Sequence, residues 1–461
     1  MTQAPTLSPA LPGWAGQVRG LLGLAVPLIG SNLAGFAIHM TDTVLMGWYS
    51  VTGLAGMVLA SSLWIIVFLM GSGFAIAVMP LVATAAEQGD AREVRRVTRM
   101  GLWLTMGFAA LALPLLVNSG DLFLAMGQEP AVAEQAGLYL AIAGWGILPA
   151  LLTAVIRSFL SALERTGILL WATIGAAVLN AVWGYALIFG AWGLPEMGIE
   201  GAAWAALATQ TLSALLLWSY ALLRLPEYQL LRRLWVPDWS ALRNVFRLGW
   251  PIGGQLLAEV GLFAGSAVMV GWAGEVALAA HGVALQLASA TFMLHLGLSQ
   301  AVTVRAGQAL GRADRDGLRQ GALAAIALSV AFALIASVVF LVIPGPLMSL
   351  FLDPADPAAP QVIAVGVTLL ALAAVFQLFD GAQVLAIGLL RGLQDTTVPM
   401  LWAAVSYWLI GLPAAYALGF GLGWGVTGVW VGLVIGLVCA SGLLMARFWR
   451  LAARPMTGLH A

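Results

Sequence analysis

Long apolar runs recur along the whole chain and are separated by short polar stretches. Most of these runs contain 20 or more residues, enough for a helix to cross a hydrocarbon core about 30 Å thick. The pattern predicts an all-α membrane protein with twelve spans at about residues 21–48, 54–86, 98–118, 133–163, 167–192, 199–224, 245–272, 276–310, 319–344, 360–391, 397–420 and 425–448. Several spans exceed the length that lipid requires, which predicts tilt or extension beyond the bilayer.

Composition narrows the class further. Hydrophobic residues make up 61% of the chain and charged residues only 9%, which is outside the range of soluble globular domains. The single cysteine, Cys439, lies in the last apolar run, so neither a disulfide framework nor a cysteine-based metal site is expected. Only one basic residue, Arg19, precedes the first span, which favours an uncleaved first helix over a removed signal peptide.

Charge predicts the orientation of the spans. The chain has no lysine, and its 20 basic residues are arginines that all fall on the side of the two termini or at the adjacent helix ends. The loops on the opposite side carry only acids: Asp121, Glu129, Glu196, Glu200, Glu275, Asp353 and Asp356. By the positive-inside rule, both termini are expected in the cytoplasm of a bacterial cell, with the chain in the inner (plasma) membrane.

The two halves of the sequence resemble each other. A gapless shift of 224 residues pairs identical residues across two spans and their loop: Pro27 with Pro251, Gly47-Trp48 with Gly271-Trp272, Gly73 with Gly297, Asp90 with Asp314, and Arg95 with Arg319. After a small change of offset, Leu163 and Thr166 match Leu393 and Thr396. Each half has six spans, so the repeat is expected to be parallel, with a pseudo-two-fold axis along the membrane normal.

This repeat predicts three regions. Residues 1–224 and 248–461 would form two six-helix lobes, and residues 225–247 would form a cytoplasmic linker between them. The linker is interpreted as a plain tether without a regulatory role, and it contains a short amphipathic segment that starts near Asp238.

Three acids interrupt the apolar runs: Asp42 in span 1, Glu259 in span 7 and Asp380 in span 10. A charge at the bilayer centre costs about 2.5–3.5 kcal/mol, so such acids face the protein interior and are candidates for function. Other polar residues accompany them within spans: Asn32, His39, Asn180, Gln255, Gln286, His295 and Gln377. The alternatives are a structural hydrogen-bonding role for the acids, an interfacial position for Asp42, and interhelical contacts for the amides and histidines.

Such acids suit an ion-coupled exchanger. A proton or sodium ion can neutralise a buried carboxylate, and a cationic substrate can compete for the same charge. We find no P-loop, no metal-ligand cluster and no nucleophile paired with a base, so neither an ATP-driven pump nor an enzyme is expected. The arginines are scattered and cytoplasmic, which indicates orientation rather than nucleic-acid binding.

Four segments together resemble the MATE (multidrug and toxic compound extrusion) transporters, and specifically the NorM-like branch. These segments are MTDTVLMGWYS, QLLAEVGLFAG, LAAHGVALQLASATFMLHLGLSQAVTVRAGQALGRAD and FQLFDGAQVLAIGLLRGLQDT. The resemblance implies two six-helix lobes around a central cleft and an antiporter that exports organic cations and other cytotoxic compounds. It implies no cofactor beyond a coupling Na⁺ or H⁺, and we expect the chain to act as a monomer in the bilayer.

The resemblance also implies roles for individual residues. Glu259 and Asp380 would bind the coupling ion in the second lobe, including Na⁺ if the protein is sodium-coupled, while Asp42 would serve the first lobe with Asn180. Gly184 stands where members with a first-lobe proton site carry a second aspartate, which speaks against a mechanism confined to the first lobe.

Several alternatives remain open at this stage. Sodium would need oxygen ligands beyond the carboxylates, and Gln255, Gln286 and Gln377 could supply them, whereas a proton needs fewer partners. A flippase or exporter of a lipid-linked or metabolic substrate is the next hypothesis, although the lack of basic residues in the cleft-facing spans opposes a polyanionic headgroup. A membrane-embedded enzyme and a passive channel are the remaining classes.

Overall fold

The computed structural model describes residues 13–353 and 356–454, and helices dominate both ranges without any strand. Twelve of the helices are long and apolar enough to cross a membrane. In chain order they are α1 Trp14–Tyr49, α2 Val51–Glu87, α3 Ala91–Val117, α4 Pro130–Ala162, α5 Thr166–Phe189, α6 Gly198–Arg224, α7 Trp239–Gly271, α8 Glu275–Gly311, α9 Arg315–Val342, α10 Ala359–Gly392, α11 Thr397–Gly421 and α12 Gly425–Ala452. The twelve predicted spans are confirmed.

Shorter elements modify or join these helices. Two short α-helices lie at Ser119–Ala125 and Pro344–Ser349. Three-residue 3₁₀ turns lie at Gly144–Gly146 within α4, at Ala191–Gly193 after α5 and at Pro226–Tyr228 after α6. Two segments of α11, Val405–Gly411 and Ala417–Gly421, are π-helical.

The internal repeat is visible in how the helices begin and end. Asp90 caps α3 by accepting the Glu93 N–H at 2.8 Å, and its counterpart Asp314 caps α9 by accepting the Gly317 N–H at 2.8 Å. Such side-chain caps satisfy N–H groups that a helix leaves unpaired at its start. The residues before these caps, Gly89 (φ 73°) and Ala313 (φ 54°), both have left-handed backbones that end the preceding helix.

The ends of α4 and α10 repeat in the same way. Glu164 (φ 60°) and Gln394 (φ 62°) follow these helices in the left-handed conformation. In both turns the next residue donates its N–H to a carbonyl five residues back: Arg165 to Leu160 and Asp395 to Leu390. The two halves therefore use the same local turns at positions that the sequence repeat aligns.

By their contacts the described residues form two units: Gly30–Gly253 is the first, and residues 13–29 together with the described residues from 254 to 454 form the second. The division falls just after the matched prolines Pro27 and Pro251, inside α1 and α7. A proline inside a helix removes one backbone hydrogen bond and weakens the helix there. The predicted regions 1–224, 225–247 and 248–461 were defined by the sequence repeat and not by contacts, so they stay a prediction. The pseudo-two-fold axis between the lobes stays a prediction as well.

Each unit contains a close helix contact at an equivalent glycine. In the first unit, a Cβ at Gly73 of α2 would lie 2.4 Å from the Gly253 nitrogen of α7. In the second unit, a Cβ at Gly297 of α8 would lie 2.6 Å from the Ile29 nitrogen of α1. Both distances are too short for any side chain, so glycine allows the two helix backbones to touch, as small residues do between membrane helices.

The second part of the predicted linker packs against α3, and its lack of a regulatory role stays a prediction. Arg99 donates to the Arg233 carbonyl at 3.0 Å, and Trp103 donates to the Leu234 carbonyl at 2.8 Å, so the linker packs along α3. Arg96 donates to both carboxylate oxygens of Asp238, at 2.5 and 3.1 Å. This hydrogen bonding holds the pKa of the Asp238 carboxyl far below its usual value.

The amphipathic segment predicted near Asp238 is the first part of α7 and not a separate helix. Asp238 accepts the Ala241 N–H at 3.2 Å, as an N-terminal cap does. Neither glycine nor proline follows until Gly249, so nothing stops the helix before it becomes the membrane span.

Candidate functional site

Asp42 is the end of a hydrogen-bonded chain in the first unit. The Asn180 side chain of α5 donates its Nδ2 to Asp42 Oδ1 at 2.5 Å. Thr209 of α6 donates in turn to Asn180 Oδ1 at 3.2 Å. Asn180 is fully buried and Thr209 is buried, whereas Asp42 is half-buried. The sequence analysis named Asp42 and Asn180 as candidates. The Asn180 side chain uses its nitrogen to bond Asp42 and its oxygen to bond Thr209.

Two further residues shape the surroundings of Asp42. Tyr139 of α4 is buried, lies beside the Ser61 side chain and is close enough to Asp42 for electrostatic interaction. A Cβ at Gly184 would lie 3.1 Å from Leu45 Cδ1, so the position one turn after Asn180 is filled by Leu45. The sequence analysis did not predict Thr209 or Tyr139, because a single threonine or tyrosine in an apolar span is a weak signal of a functional site.

Asp380 lies in the tight seam between α8 and α10 in the second unit. Ser299 donates to the Val384 carbonyl at 2.6 Å, and Thr303 donates to the Gly388 carbonyl at 2.9 Å. Beside Asp380, a Cβ at Gly381 would lie 2.6 Å from His295 Cε1. These contacts hold the backbone of α10 against α8 and fix where the Asp380 side chain can lie.

Polar atoms around Asp380 retain unused hydrogen-bonding capacity. Asp380 is 2% exposed, and within residues 13–353 and 356–454 its Oδ1 has no hydrogen-bond partner. The same holds, within those residues, for Gln377 Oε1 and for both polar atoms of Gln383. Gln377 uses only its Nε2, which donates to the Ala288 carbonyl at 3.3 Å. Buried polar groups are normally paired, so such a group of unpaired atoms marks a candidate site for function.

Glu259 is half-buried on α7, and its charge interacts with that of Asp380. Arg391 of α10 also interacts electrostatically with Glu259 and donates to Gln255 Oε1 at 3.2 Å. Gln255 precedes Glu259 by four residues, so both lie on one face of α7. Arg391 therefore accompanies the acids, although the sequence analysis expected the cleft-facing spans to lack basic residues. Arg391 is at the end of its helix, but its long side chain reaches inward.

Tyr407 was missed by the sequence analysis. It is fully buried on α11 and interacts electrostatically with Glu259, Asp380 and Arg391. In the part of the chain that the structure describes, neither its hydroxyl nor that of the neighbouring Ser406 has a hydrogen-bond partner. Both residues belong to the π-helical segment Val405–Gly411, a distortion that is frequent at functional sites. Sequence periodicity does not reveal such a local widening.

The remaining predicted site residues differ in how deeply they are buried. His295 is buried, and its Nδ1 lies 3.1 Å from Ser329 Oγ on α9. Gln286 of α8 and Asn32 of α1 are half-buried, while His39 of α1 is exposed. His39 and Asn32 share a helix with Asp42, but Asn180 is the side chain that bonds the acid.

The donor set around Asp380 fits a hard cation better than a transition metal. No group of three or more His, Cys, Asp or Glu residues is arranged to hold a metal ion in the described ranges. Carboxylate, amide and hydroxyl oxygens are present instead, from Asp380, Glu259, Gln377 and Tyr407. Hard cations prefer oxygen ligands of these types.

The sequence was also compared with known protein families and with curated proteins. A family model described as MatE matches residues 27–186 and 251–417, whose starts have the same separation as the sequence repeat. A protein of Agrobacterium fabrum named "probable multidrug resistance protein NorM" is 45% identical over 455 residues, covering 98% of each chain. A protein of the same name from Rhizobium meliloti is 46% identical, covering 96% of this chain and 95% of the relative.

Solved structures share the fold. A crystal structure described as MATE in the straight conformation superposes with a TM-score of 0.87 at 18% identity, covering 96% of this chain and 97% of the other. A MOP superfamily transporter from Pyrococcus furiosus, whose binding pocket is described as reversed in polarity, superposes with a TM-score of 0.86 at 18% identity. That alignment covers 99% of this chain and 100% of the other. At such low identity these likenesses establish the fold alone.

Proposed function

The chain belongs to the MatE family, and we propose that it is an ion-coupled multidrug antiporter that exports organic cations and other cytotoxic compounds by alternating access. One observation carries the proposal: Asp380 is almost fully buried, and its Oδ1 lacks a partner among the described residues. Curated relatives over nearly the full length are named as probable multidrug resistance proteins, which supports the same substrate class. The chain is a multi-pass membrane protein, and we place it in a bacterial inner membrane with both termini cytoplasmic.

The coupling ion would bind at Asp380 and Glu259. Two carboxylates whose charges interact in a buried setting disfavour double ionisation, so binding of a cation relieves their repulsion. A sodium ion could take oxygen ligands from Asp380, Glu259, Gln377 and Tyr407, whereas a proton needs only one carboxylate. Asp42, with Asn180 and Thr209, would provide a third acid, which lies in the first half of the chain.

Exchange follows if ion and substrate favour different conformations. A ligand shifts a conformational equilibrium only by its difference in affinity for the two states. An organic cation and the coupling ion both need a negative carboxylate, so binding of one weakens binding of the other. By linkage this coupling is reciprocal, and a gradient of the ion then drives export of the substrate.

The proposal is tested by efflux of ethidium from cells and by ethidium uptake into inside-out vesicles with a sodium or a proton gradient imposed separately. We expect one gradient to drive transport in the native protein and neither to drive it after Glu259→Gln or Asp380→Asn. Glu275→Gln, which changes an exposed acid at the start of α8, is the matched control and should transport normally. Unchanged gradient-driven efflux in both site variants would overturn the proposal.

A second candidate is export of an anionic lipid-linked or metabolic substrate. The observation that favours it is Arg391, whose guanidinium donates to Gln255 and interacts with Glu259. A single arginine that is already engaged with an acid is a poor receptor for a polyanionic headgroup, which favours several arginines. Inhibition of ethidium efflux by anionic substrates, and not by other organic cations, would favour this second candidate.

A further inference from the structure

A cavity that the transport site does not use lies in the second unit, where α1 and α9 begin and α8 ends. Gln17 of α1, Arg305 of α8 and Gly321 of α9 are among the residues that line it. These helix ends are on the arginine-rich side of the chain, which the charge pattern assigns to the cytoplasm.

The cavity has a positive lining. Its charged residues are Arg305, Arg312 and Asp314, which give a net charge of +1. The Asp314 carboxylate is already engaged, since its Oδ1 accepts the Gly317 N–H at 2.8 Å and its Oδ2 lies 4.0 Å from Arg312 Nε. Arg305 donates to Gln17 Oε1 at 3.5 Å. Both guanidinium groups are half-buried, and arginine suits the bidentate binding of phosphate oxygens.

The internal repeat shows that this lining is specific to the second half. Leu81 and Gln88 stand at the positions equivalent to Arg305 and Arg312, so the first half lacks both charges. The small residues of the cavity are also replaced there by larger ones: Ala306 corresponds to Val82, Gly317 to Glu93 and Gly321 to Val97. Two copies of one scaffold therefore differ at this place in both charge and space.

Helix packing does not require the small residue at Gly321. A Cβ there would have only Gln17 Oε1 within 4 Å, at 3.8 Å. This differs from Gly297, where the same addition would meet the Ile29 backbone at 2.6 Å. The glycine at 321 leaves space beside the two arginines rather than allowing two helices to touch.

The depth of the cavity suits a lipid headgroup. Arg305 is six residues before the end of α8 at Gly311, about 9 Å along the helix axis. The polar headgroup region on each side of a bilayer is about 5–8 Å thick. Basic pockets between membrane helices on the cytoplasmic side are typical binding places for anionic headgroups.

We propose that this cavity binds the phosphate group of an anionic phospholipid from the cytoplasmic leaflet, with Arg305 and Arg312 as its ligands. The bound lipid would join α1, α8 and α9 at their cytoplasmic ends. This site is separate from the acids at which we propose ion binding, and its occupation does not depend on the transported substrate.

The experiment measures lipid binding to the purified, delipidated full chain in a neutral detergent by native mass spectrometry. Phosphatidylglycerol and phosphatidylcholine are added separately, and inorganic phosphate is added as a competitor. We expect the native protein to prefer phosphatidylglycerol by roughly tenfold or more, and phosphate to compete only weakly. Equal binding of both lipids would overturn the proposal, and full competition by millimolar phosphate would overturn the lipid as its source.

Variants locate the binding. Arg305→Gln with Arg312→Gln should abolish the preference, whereas Arg319→Gln, at an exposed arginine outside the lining, should leave it unchanged. Gly321→Val copies the residue of the first half and should reduce binding by filling the space, without removing a charge. Thermal unfolding without lipid checks that each variant is folded. An unchanged preference in the folded double variant, or in folded Gly321→Val if the double variant does not fold, would overturn the proposal.

Discussion

Asp42 and Asp380 lie in membrane-spanning helices of opposite halves, and they differ in how far the protein meets their hydrogen-bonding capacity. Asp42 accepts a hydrogen bond from Asn180, which Thr209 supports in turn. Asp380 is more deeply buried, and among the described residues its Oδ1 has no partner. A carboxylate held by protein donors contributes to structure, whereas one without donors retains affinity for an external cation or proton.

The repeat shows that these acids are not shared features of the two halves. Ser266 is the counterpart of Asp42, and its hydroxyl donates to the Phe263 carbonyl of its own helix at 2.8 Å. Gly35 is the counterpart of Glu259. One scaffold therefore carries a paired acid in its first copy and two interacting acids in its second, so the halves should respond differently to the loss of charge.

The largest difference is expected from a comparison of Asp380→Asn with Asp42→Asn. Asp380→Asn should reduce ethidium efflux at least about tenfold, equivalent to ~1.4 kcal/mol, while the unfolding free energy changes little, since no protein hydrogen bond to Oδ1 is lost. Asp42→Asn should lower stability, because hydrogen bonds to charged groups contribute about 1.5–3 kcal/mol. Efflux and thermal unfolding are measured on the same preparations. Equal losses of stability in both variants would contradict the comparison.

The support of Asp42 is tested by Asn180→Ala. This change removes the donor to Asp42 and the acceptor of Thr209, so we expect a loss of about 1.5–3 kcal/mol in unfolding free energy. Asn118→Ala is the control, since the exposed Asn118 side chain only donates to the Pro114 carbonyl of its own helix at 2.8 Å. A loss at Asn180 no larger than at Asn118 would show that the chain of hydrogen bonds adds little.

A smaller effect is expected from two tyrosines, one in each half. The Tyr407 hydroxyl has no partner in the described part of the chain, so Tyr407→Phe should change stability by less than about 0.5 kcal/mol without sodium. Tyr139→Phe, which loses the polar interaction with the Ser61 side chain, should cost about 0.5–1.5 kcal/mol. If sodium is the coupling ion, Tyr407→Phe should also reduce the stabilisation that added sodium gives. Thermal unfolding with and without sodium measures both effects, and a larger sodium-free loss at Tyr407 would contradict the prediction.

The helices were predicted well because each membrane span corresponds to a long apolar run in the sequence. All twelve spans were found, and their ends follow local signals such as the Asp90 and Asp314 caps. The beginning of α7 was missed because the sequence from Trp239 to Leu248 is polar enough to resemble a surface segment. Helical continuity there depends on the absence of a breaking residue, which is a weaker signal than hydropathy.

The candidate site was predicted only in part, and the reason is physical. The acids stood out because charge is rare in lipid, but the partners that determine their roles come from other helices. Thr209 and Tyr407 are ordinary residues of apolar spans, and only packing brings Thr209 to Asn180 and Tyr407 to Asp380. Arg391 was assigned to a helix end because residue number gives the position of the backbone, not the reach of a long side chain.

The smallest effect is expected outside the membrane, at Asp238 of the linker. Hydrogen bonding from Arg96 lowers the pKa of this carboxyl in the folded protein. A lowered folded pKa stabilises the protein above the unfolded value of about 3.9, and this stability is lost as the pH falls towards the folded pKa. Since the pair is partly exposed, Asp238→Asn should cost about 0.2–1 kcal/mol near neutral pH and less below about pH 4. Unfolding from pH 3 to 7, with the exposed Asp316→Asn as control, measures this; a loss that does not depend on pH would assign the contact to packing rather than charge.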